Sequence, residues 1–452
     1  MKQNALLRGT LLLTAAGLAS RFIGFFYRIF LSRMFGEEGM GIYELMNPVL
    51  ALTFALCTSG IQSAVSRFVA ACPDPAGKSR LRILLSGLAL SGALSVLCTL
   101  GVYQGADFIA ASLLGEARCA PLLRIASLSF PAACIHSCIN GYYYGIRRAS
   151  LPAFCQLFEQ CFRVGSVFLF WEFSQQNNVT FSINVAAVGL MIGEFAAVLA
   201  AVPAAWLHFS SQKRASLPLP ESFPSIWGRL IRFAAPLSAN RVCLHLLGAA
   251  ESARIPVSLQ LYGYTAGQAL SIYGVFSGMA MTCILFPSAL TNSVSVLLMP
   301  LVAQAQVSGD QKAIRRAVGR CARGCLLLGL VCMAFFRLTG RFIGGALFDS
   351  ELAGLFIRTL SLLCPFLYLN TTLLSVLNGL GRTGHTFLLN LLSLFVRLAF
   401  VFFLIPLWGI KGYFCGMLAG QLVMTLSCSL LLRRFLFARS FSGRPAKGRV
   451  LP

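Results

Sequence analysis

LLRGTLLLTAAGLASRFIGFFYRIFLSRMF, residues 6–35, is long enough to cross a lipid bilayer, yet it carries two arginines inside its apolar run. About 20 apolar residues rising ~1.5 Å each cover the ~30 Å hydrocarbon core. Arg21 and Arg28 are close to two helical turns apart, so their guanidiniums share one helix face, about 10 Å apart along the axis. An arginine facing lipid at mid-membrane costs roughly 2.5–3.5 kcal/mol even on the mildest scale. The pair is therefore expected to face a wet cavity, where two fixed cations suit an anionic substrate, phosphate above all. For Arg28 the other reading is that it snorkels to the headgroups from the far end of the span. A signal-peptide apolar region would end near Ser20, whereas apolar sequence continues to Phe35, so the stretch reads as a retained first span.

Composition extends that reading to the whole chain. Hydrophobic residues make up 57% of the 452 and charged residues 11%, against about 25% charged in a soluble domain. Mean hydropathy is +0.77. A soluble core of this size needs a far more polar exterior, so the expected fold is an all-α polytopic membrane protein. Apolar runs near 6–33, 43–71, 83–104, 121–145, 151–172, 181–208, 229–250, 268–305, 321–348, 352–379, 385–406 and 410–432 give twelve transmembrane helices.

The formal charge of +23 reads as topology rather than as a nucleic-acid footprint. With the N-terminus placed inside, 23 of the 37 Lys and Arg fall at cytoplasmic ends and loops. Eight fall at outer loops and their flanks, and six lie within spans or at their rims. This asymmetry is the positive-inside pattern and puts both termini in the cytoplasm.

The sixteen cysteines are dispersed through the spans. CIHSC (134–138) and CARGC (321–325) lack the sequence-local ligands that would complete a metal site, so small apolar filler is expected. His136, His208, His245 and His385 are isolated in sequence. None has a Ser or Cys at motif spacing, and GxGxxG, Walker A and HExxH patterns are absent. No enzyme, no cofactor and no metal are expected.

Two six-helix bundles are read, 1–208 and 229–437, joined by a Ser-, Pro- and basic-rich cytoplasmic linker at 209–228 and followed by a basic tail at 438–452. They repeat weakly. Ala19-Ser20-Arg21 corresponds to Ala239-Asn240-Arg241. Arg124, Ser127 and Pro131 correspond to Arg358, Ser361 and Pro365 at the same spacing, and Asn140-Gly141 to Asn378-Gly379. Six spans per half is an even number, so the halves are expected to be pseudo-symmetric about an axis along the membrane normal, with substrate between them. Pro131 and Pro365 are the hinge candidates. The segment 305–323 reads as a basic amphipathic helix on the inner leaflet, and 251–274 as a polar outer cap.

Charges within spans supply the remaining site candidates. Glu159 and Arg163 are spaced for an intrahelical ion pair, and Arg163 is expected to exchange that partner for substrate phosphate. Arg241 and Arg397 are the second half's contributions to anion binding. Arg67 either contacts headgroups or gates the cytoplasmic mouth. Glu194 and Glu251 are candidates for carrying a proton or a cation, with a satisfied helix polar group the plainer reading of Glu194. Glu44, at the outer end of the second span, is expected to be solvated. Cations outnumber carboxylates within the spans, which favours an anionic cargo over a cationic drug.

GEEGMGIYELMNPVLALTFALCTSGIQSAVSRFVA (36–70) resembles the opening of the stage V sporulation protein B-like branch of the polysaccharide and oligosaccharide-lipid exporters. These belong to the multidrug/oligosaccharidyl-lipid/polysaccharide superfamily. GYYYGIRRASLPAFCQLFEQCFRV (141–164) is similar to that branch's turn between spans four and five, with its Glu159, Gln160 and Arg163 element. The stretch from Arg254 to Pro300 is similar again. The resemblance implies a MATE-like, V-shaped pair of bundles with alternating access, a bacterial plasma-membrane location, and a lipid-diphosphate-linked saccharide as cargo. SRFIGF (20–25) resembles an element of the lipid II flippases whose arginine lines the cavity, which gives that role to Arg21. Many relatives carry two further spans implicated in holding the lipid tail. The implied partners are membrane lipid, the anionic lipid-linked saccharide and envelope-synthesis enzymes, with no nucleic acid. A coupling ion, proton or sodium, has room in the scheme. The alternatives are cation-coupled multidrug efflux, which needs acidic cavity residues, and a non-catalytic scaffold for envelope synthesis.

Overall fold

The computed structural model describes residues 2–72, 78–178, 180–210, 223–308 and 310–437. The tail 438–452 and residues 211–222 of the linker lie outside them. Among the described residues every regular element is helical, as the composition requires of a chain whose backbone must satisfy itself in lipid.

By length and composition, nine described helices can cross a membrane, or ten if the bent pair Cys119–Ser127 and Phe130–Gly145 forms one span. The sequence reading counted twelve, and the two counts part for identifiable reasons. Leu12–Ala71 runs through two of the apolar runs, broken at Gly36 (φ 67°, ψ −170°), a backbone state open to glycine without strain, and passing through a π-helical turn at Ala55–Ser59. The run at 268–305 is broken between Leu285 and Ser288. Ser150–Asn177 and Phe223–Tyr262 are long enough, at 28 and 40 residues, but are diluted by the polar side chains they carry.

The two proline positions both fall at helix breaks. Cys119–Ser127 and Phe130–Gly145 meet at 44°, and Pro131 lies in the first turn of the second helix, where its missing N–H loses no bond. Glu351–Leu360 passes through a 3₁₀ turn into Cys364–Gly379, with Pro365 again in the first turn. Ser127 Oγ donates to the Arg124 carbonyl and Ser361 Oγ to the Arg358 carbonyl, each at 2.7 Å. Past the breaks the match continues. A Cβ on Gly141 would stand 2.8 Å from the Gln62 carbonyl oxygen, and one on Gly379 2.7 Å from that of Met299. The weak sequence repeat thus marks paired breaks and paired close approaches.

Burial shows where the halves join. At the Gly36 end one continuous core takes in both halves, from Leu31, Met40 and Leu45 to Leu270, Phe356 and Tyr368. At the opposite end there are two separate cores. One centres on Ile61, Val65 and Tyr142 and includes Ile226 and Leu230 from the start of the Phe223–Tyr262 helix. The other centres on Leu298, Val376 and Cys428. One shared core below two separate ones makes a V. Polar contacts fasten the joined end. Arg33 donates to the Leu347 carbonyl at 2.8 Å and to that of Ala346, and Ser350 Oγ donates to Glu37 at 2.5 Å while capping the next helix. At the same rim Arg118 bridges Glu38 and Glu116 at 2.7 and 2.8 Å, and its guanidinium holds the Glu116 carboxyl below the ordinary carboxylate range.

Two local expectations are corrected. Residues 311–323 do not lie apart as an interfacial helix but form the first turns of Gln311–Phe348, because no proline interrupts the stretch and Gly319 keeps helical geometry. Residues 251–274 are not a polar cap. They finish Phe223–Tyr262 and, after the Thr265–Gln268 capping box, begin Ala266–Gly274, with Ile255, Leu259 and Leu270 buried against the first half.

Candidate functional site

Between the arms of the V lie two cavities that share a wall, and a third, within the second half, adjoins the second of them. The largest, about 680 Å³, is lined by Arg21, Arg28 and Arg163 together with Tyr27, Asn47 and Gln160. No described carboxylate lines it. Helical periodicity puts Arg21 and Arg28 on this one face. Arg163 arrives because Gly189 and Gly193, one turn apart, let the Asn184–Ser210 helix press against Ser150–Asn177. Cβ atoms there would stand 3.0 Å from the Arg163 carbonyl oxygen and 2.8 Å from that of Glu159.

Each cation has different company. Among the described residues Arg21 has no ion-pair partner, and its side chain is exposed to the cavity. Arg28 pairs with Glu44 at 2.7 Å and donates across to Thr282 of the second half at 3.1 Å. Arg163 pairs with Glu159 and lies 3.6 Å from Glu194. Its Nε is buried and has no protein partner, as does Ser20 Oγ on the same wall. A cavity with guanidiniums in front and their counter-charges behind offers hydrogen-bond donors to an anion without leaving bare cations in lipid.

The carboxylates do not behave as the sequence suggests. Glu44 is not solvated: it is 4% exposed, faces Arg28, and accepts from Asn47 and Ser277 at 3.0 and 3.1 Å. Ser277 sits in a π-helical turn, Val275–Ala280, which re-aims side chains toward the cavity. His136 is not isolated either. Its Nε2 lies 2.7 Å from Glu194, and the ligand atoms of His136, Glu159 and Glu194 fall within 4.8 Å of one another. Spacing along one helix could not show this, since the three come from three helices. The set has the donors of a cation site, with Arg163 at its edge.

A second cavity, about 410 Å³, shares Arg28, Asn47 and Ser277 with the first and reaches Glu251, Arg397 and Tyr413 of the second half. Glu251 belongs inside Phe223–Tyr262 rather than after a span. It is 3% exposed, pairs with Arg397 and accepts from Tyr413 Oη at 2.9 Å. A third cavity of about 410 Å³ adjoins through His245, Gly248 and Arg397.

Of the five arginines proposed for anion binding, Arg21, Arg28 and Arg163 meet in the first cavity, and Arg397 lies between the second and third. Arg241 lines none of the three. Arg67 stacks over Phe233 at 4.5 Å from the ring centroid, and Arg229 lies over Phe68 at 5.4 Å, a contact between the Gly60–Ala71 and Phe223–Tyr262 helices. Asn47, Gln160, Ser277 and His245 line the site without having been singled out as binding residues. Their signal in the sequence is a polar but uncharged side chain in an apolar run.

Comparison with known proteins agrees with this architecture. A family profile described as polysaccharide biosynthesis protein matches residues 6–306. Stage V sporulation protein B of Bacillus subtilis (strain 168) is 26% identical, over 94% of this chain and 83% of its own. Lipid II flippase MurJ of the same organism is 20% identical, over 95% of this chain and 83% of its own. An inward-facing MATE family multidrug resistance transporter of the MOP superfamily superposes with a TM-score of 0.74 at 16% identity, covering 94% of this chain and 96% of that one. The fold is therefore MATE-like.

Proposed function

The chain belongs to the polysaccharide biosynthesis protein family, and from that premise we propose that it moves a lipid-diphosphate-linked saccharide across the bacterial plasma membrane by alternating access. The cargo would serve cell-wall or spore-envelope synthesis, in keeping with the names of its relatives in Bacillus subtilis. The observation that carries the reading is the first cavity: three arginines and no carboxylate on one wall between the two halves. A diphosphate presents several acceptor oxygens to such donors. The V opens at the end away from Gly36, which the positive-inside rule makes cytoplasmic, so the diphosphate headgroup would enter from the cytoplasmic side. His136, Glu159 and Glu194 form the candidate site for a coupling proton or sodium ion.

The MATE fold itself favours a second reading, cation-coupled drug efflux. An organic cation would here meet the guanidiniums of Arg21, Arg28 and Arg163, with the carboxylates paired to Arg28 and Arg163 off the cavity wall, which speaks against it. Proteoliposomes separate the two. Movement of a fluorescent lipid-diphosphate saccharide without chemical change supports the proposal, and uptake of a fluorescent organic cation in its place overturns it.

Arg21→Ala is expected to cut saccharide movement by roughly ten- to a hundredfold, the loss of one or two charge-assisted bonds. Its melting temperature should stay near that of the parent, because an exposed, unpaired side chain contributes little to stability. An unchanged rate would remove Arg21 from the site.

A further inference from the structure

We propose that the third cavity, within the second half, is the subsite for the saccharide; this rests on the lipid-diphosphate reading above. The three cavities are sorted by charge. The first is cationic. In the second, each lining carboxylate is matched by an arginine, Glu44 by Arg28 and Glu251 by Arg397. In the third, Arg397 is the only Lys, Arg, Asp or Glu on the wall among the described residues, and it is already paired. Beside four leucines and Met424, the polar groups there are carboxamide, hydroxyl and imidazole: Asn370, Asn390, Gln421, Ser393, Thr371 and His245.

That lining is held in place by bonds that leave both donors and acceptors over. Asn370 Nδ2 donates to Gln421 Oε1 at 2.7 Å, and Asn370 Oδ1 accepts from Thr425 at 2.8 Å. The Gln421 oxygen is thereby used, and its NH₂ has no partner among the described residues. Asn390 is the converse: its NH₂ donates to the Thr386 carbonyl at 2.8 Å, which leaves its oxygen to accept. Arg397 Nε is buried without a partner.

This mixture selects among the parts of a lipid-linked saccharide. An acyl chain in the chamber would strand the groups left over, the Gln421 NH₂, the Asn390 oxygen and Arg397 Nε, at about 1–3 kcal/mol apiece. Phosphate oxygens would be met by the Asn390 oxygen, another acceptor. Sugar hydroxyl and acetamido groups donate and accept at once and satisfy the set. The volume is within the usual range of about 300–1,000 Å³ for small-molecule sites, and the shared walls let one guest place its diphosphate by Arg28 and its sugar beyond Arg397.

The test uses the full chain in proteoliposomes with two probes, undecaprenyl diphosphate and undecaprenyl diphosphate bearing an N-acetylhexosamine disaccharide, each at subsaturating concentration. The parent is expected to move the saccharide-bearing lipid faster. Gln421→Leu and Asn390→Leu should each lower the ratio of the two rates by about five- to tenfold, the loss of one hydrogen bond. Asn390 is half-buried, so it keeps the test open should replacement of the buried Gln421 disturb folding. A parallel fall in both rates, or a parent that does not distinguish the two lipids, overturns the subsite while leaving the diphosphate reading in place. A parent that moves neither lipid overturns that reading and the subsite with it.

Discussion

Arg28→Ala is expected to abolish saccharide movement and to destabilise the protein by about 3 kcal/mol. That figure lies at the lower end of what removing one partner of a buried ion pair costs. Two separate roles are lost together. Arg28 lines both the first and second cavities and reaches Thr282 across the gap, so its guanidinium is where the two halves and the guest meet. It is also the counter-ion of Glu44, whose side chain is 5% exposed and cannot turn to water. Asn47 and Ser277 still donate to that carboxylate, which is why the loss is placed at the lower end. The double variant Arg28→Gln/Glu44→Gln separates the roles, because two neutral amides remove the uncompensated charge. Thermal unfolding should return close to the parent while movement of the lipid-linked saccharide stays lost. Recovery of transport in the double variant would show that Arg28 serves only to neutralise Glu44.

The second large effect is steric. Gly274→Ala is expected to open the Gly36 end and stall the cycle. A Cβ at Gly274 would stand 2.2 Å from the Glu37 carbonyl oxygen and 2.4 Å from the Gly41 nitrogen. Both are backbone atoms that cannot rotate away. A Cβ at Gly41 would in turn stand 2.3 Å from the Leu270 carbonyl oxygen, so the two helices pack backbone to backbone. Overpacking costs about 1–3 kcal/mol where neighbours can shift, and here the neighbour is main chain on both sides. The alternating access proposed above would require this contact to form and break, so the state that contains it should lose population by roughly ten- to a hundredfold. Hydrogen exchange of peptides covering 36–45 and 266–278 should quicken by a similar factor, with the peptides of the other two cores unchanged. Parent-like exchange together with parent-like transport would mean that the contact plays no part in the cycle.

Much of the molecule could be read without its fold, for a local reason. Whether a run of residues is apolar enough to enter a bilayer depends on the run itself. So the all-helical membrane architecture, the placing of Arg21 and Arg28 on one face, and the Glu159–Arg163 pair were all legible. The proline breaks were legible too, since a missing N–H acts on its own helix. The exact helix count was less so: Gly36 sits in an apolar stretch and marks a break only through its backbone angle.

The sequence determined by itself that this protein crosses the membrane many times and carries arginines within its spans, two of them on one helix face. Tertiary structure alone decided which arginines share a chamber. Arg241 matches Arg21 in the repeat yet lines none of the three cavities, and Glu44 proved to be the buried counter-ion of Arg28. His136 found its carboxylates on two other helices, and Thr282 reached Arg28 from 254 residues away. A helix fixes the direction of its own side chains within a turn or two. A counter-ion comes from whichever helix packs opposite, and that is settled by where small residues such as Gly41, Gly193 and Gly274 let backbones touch.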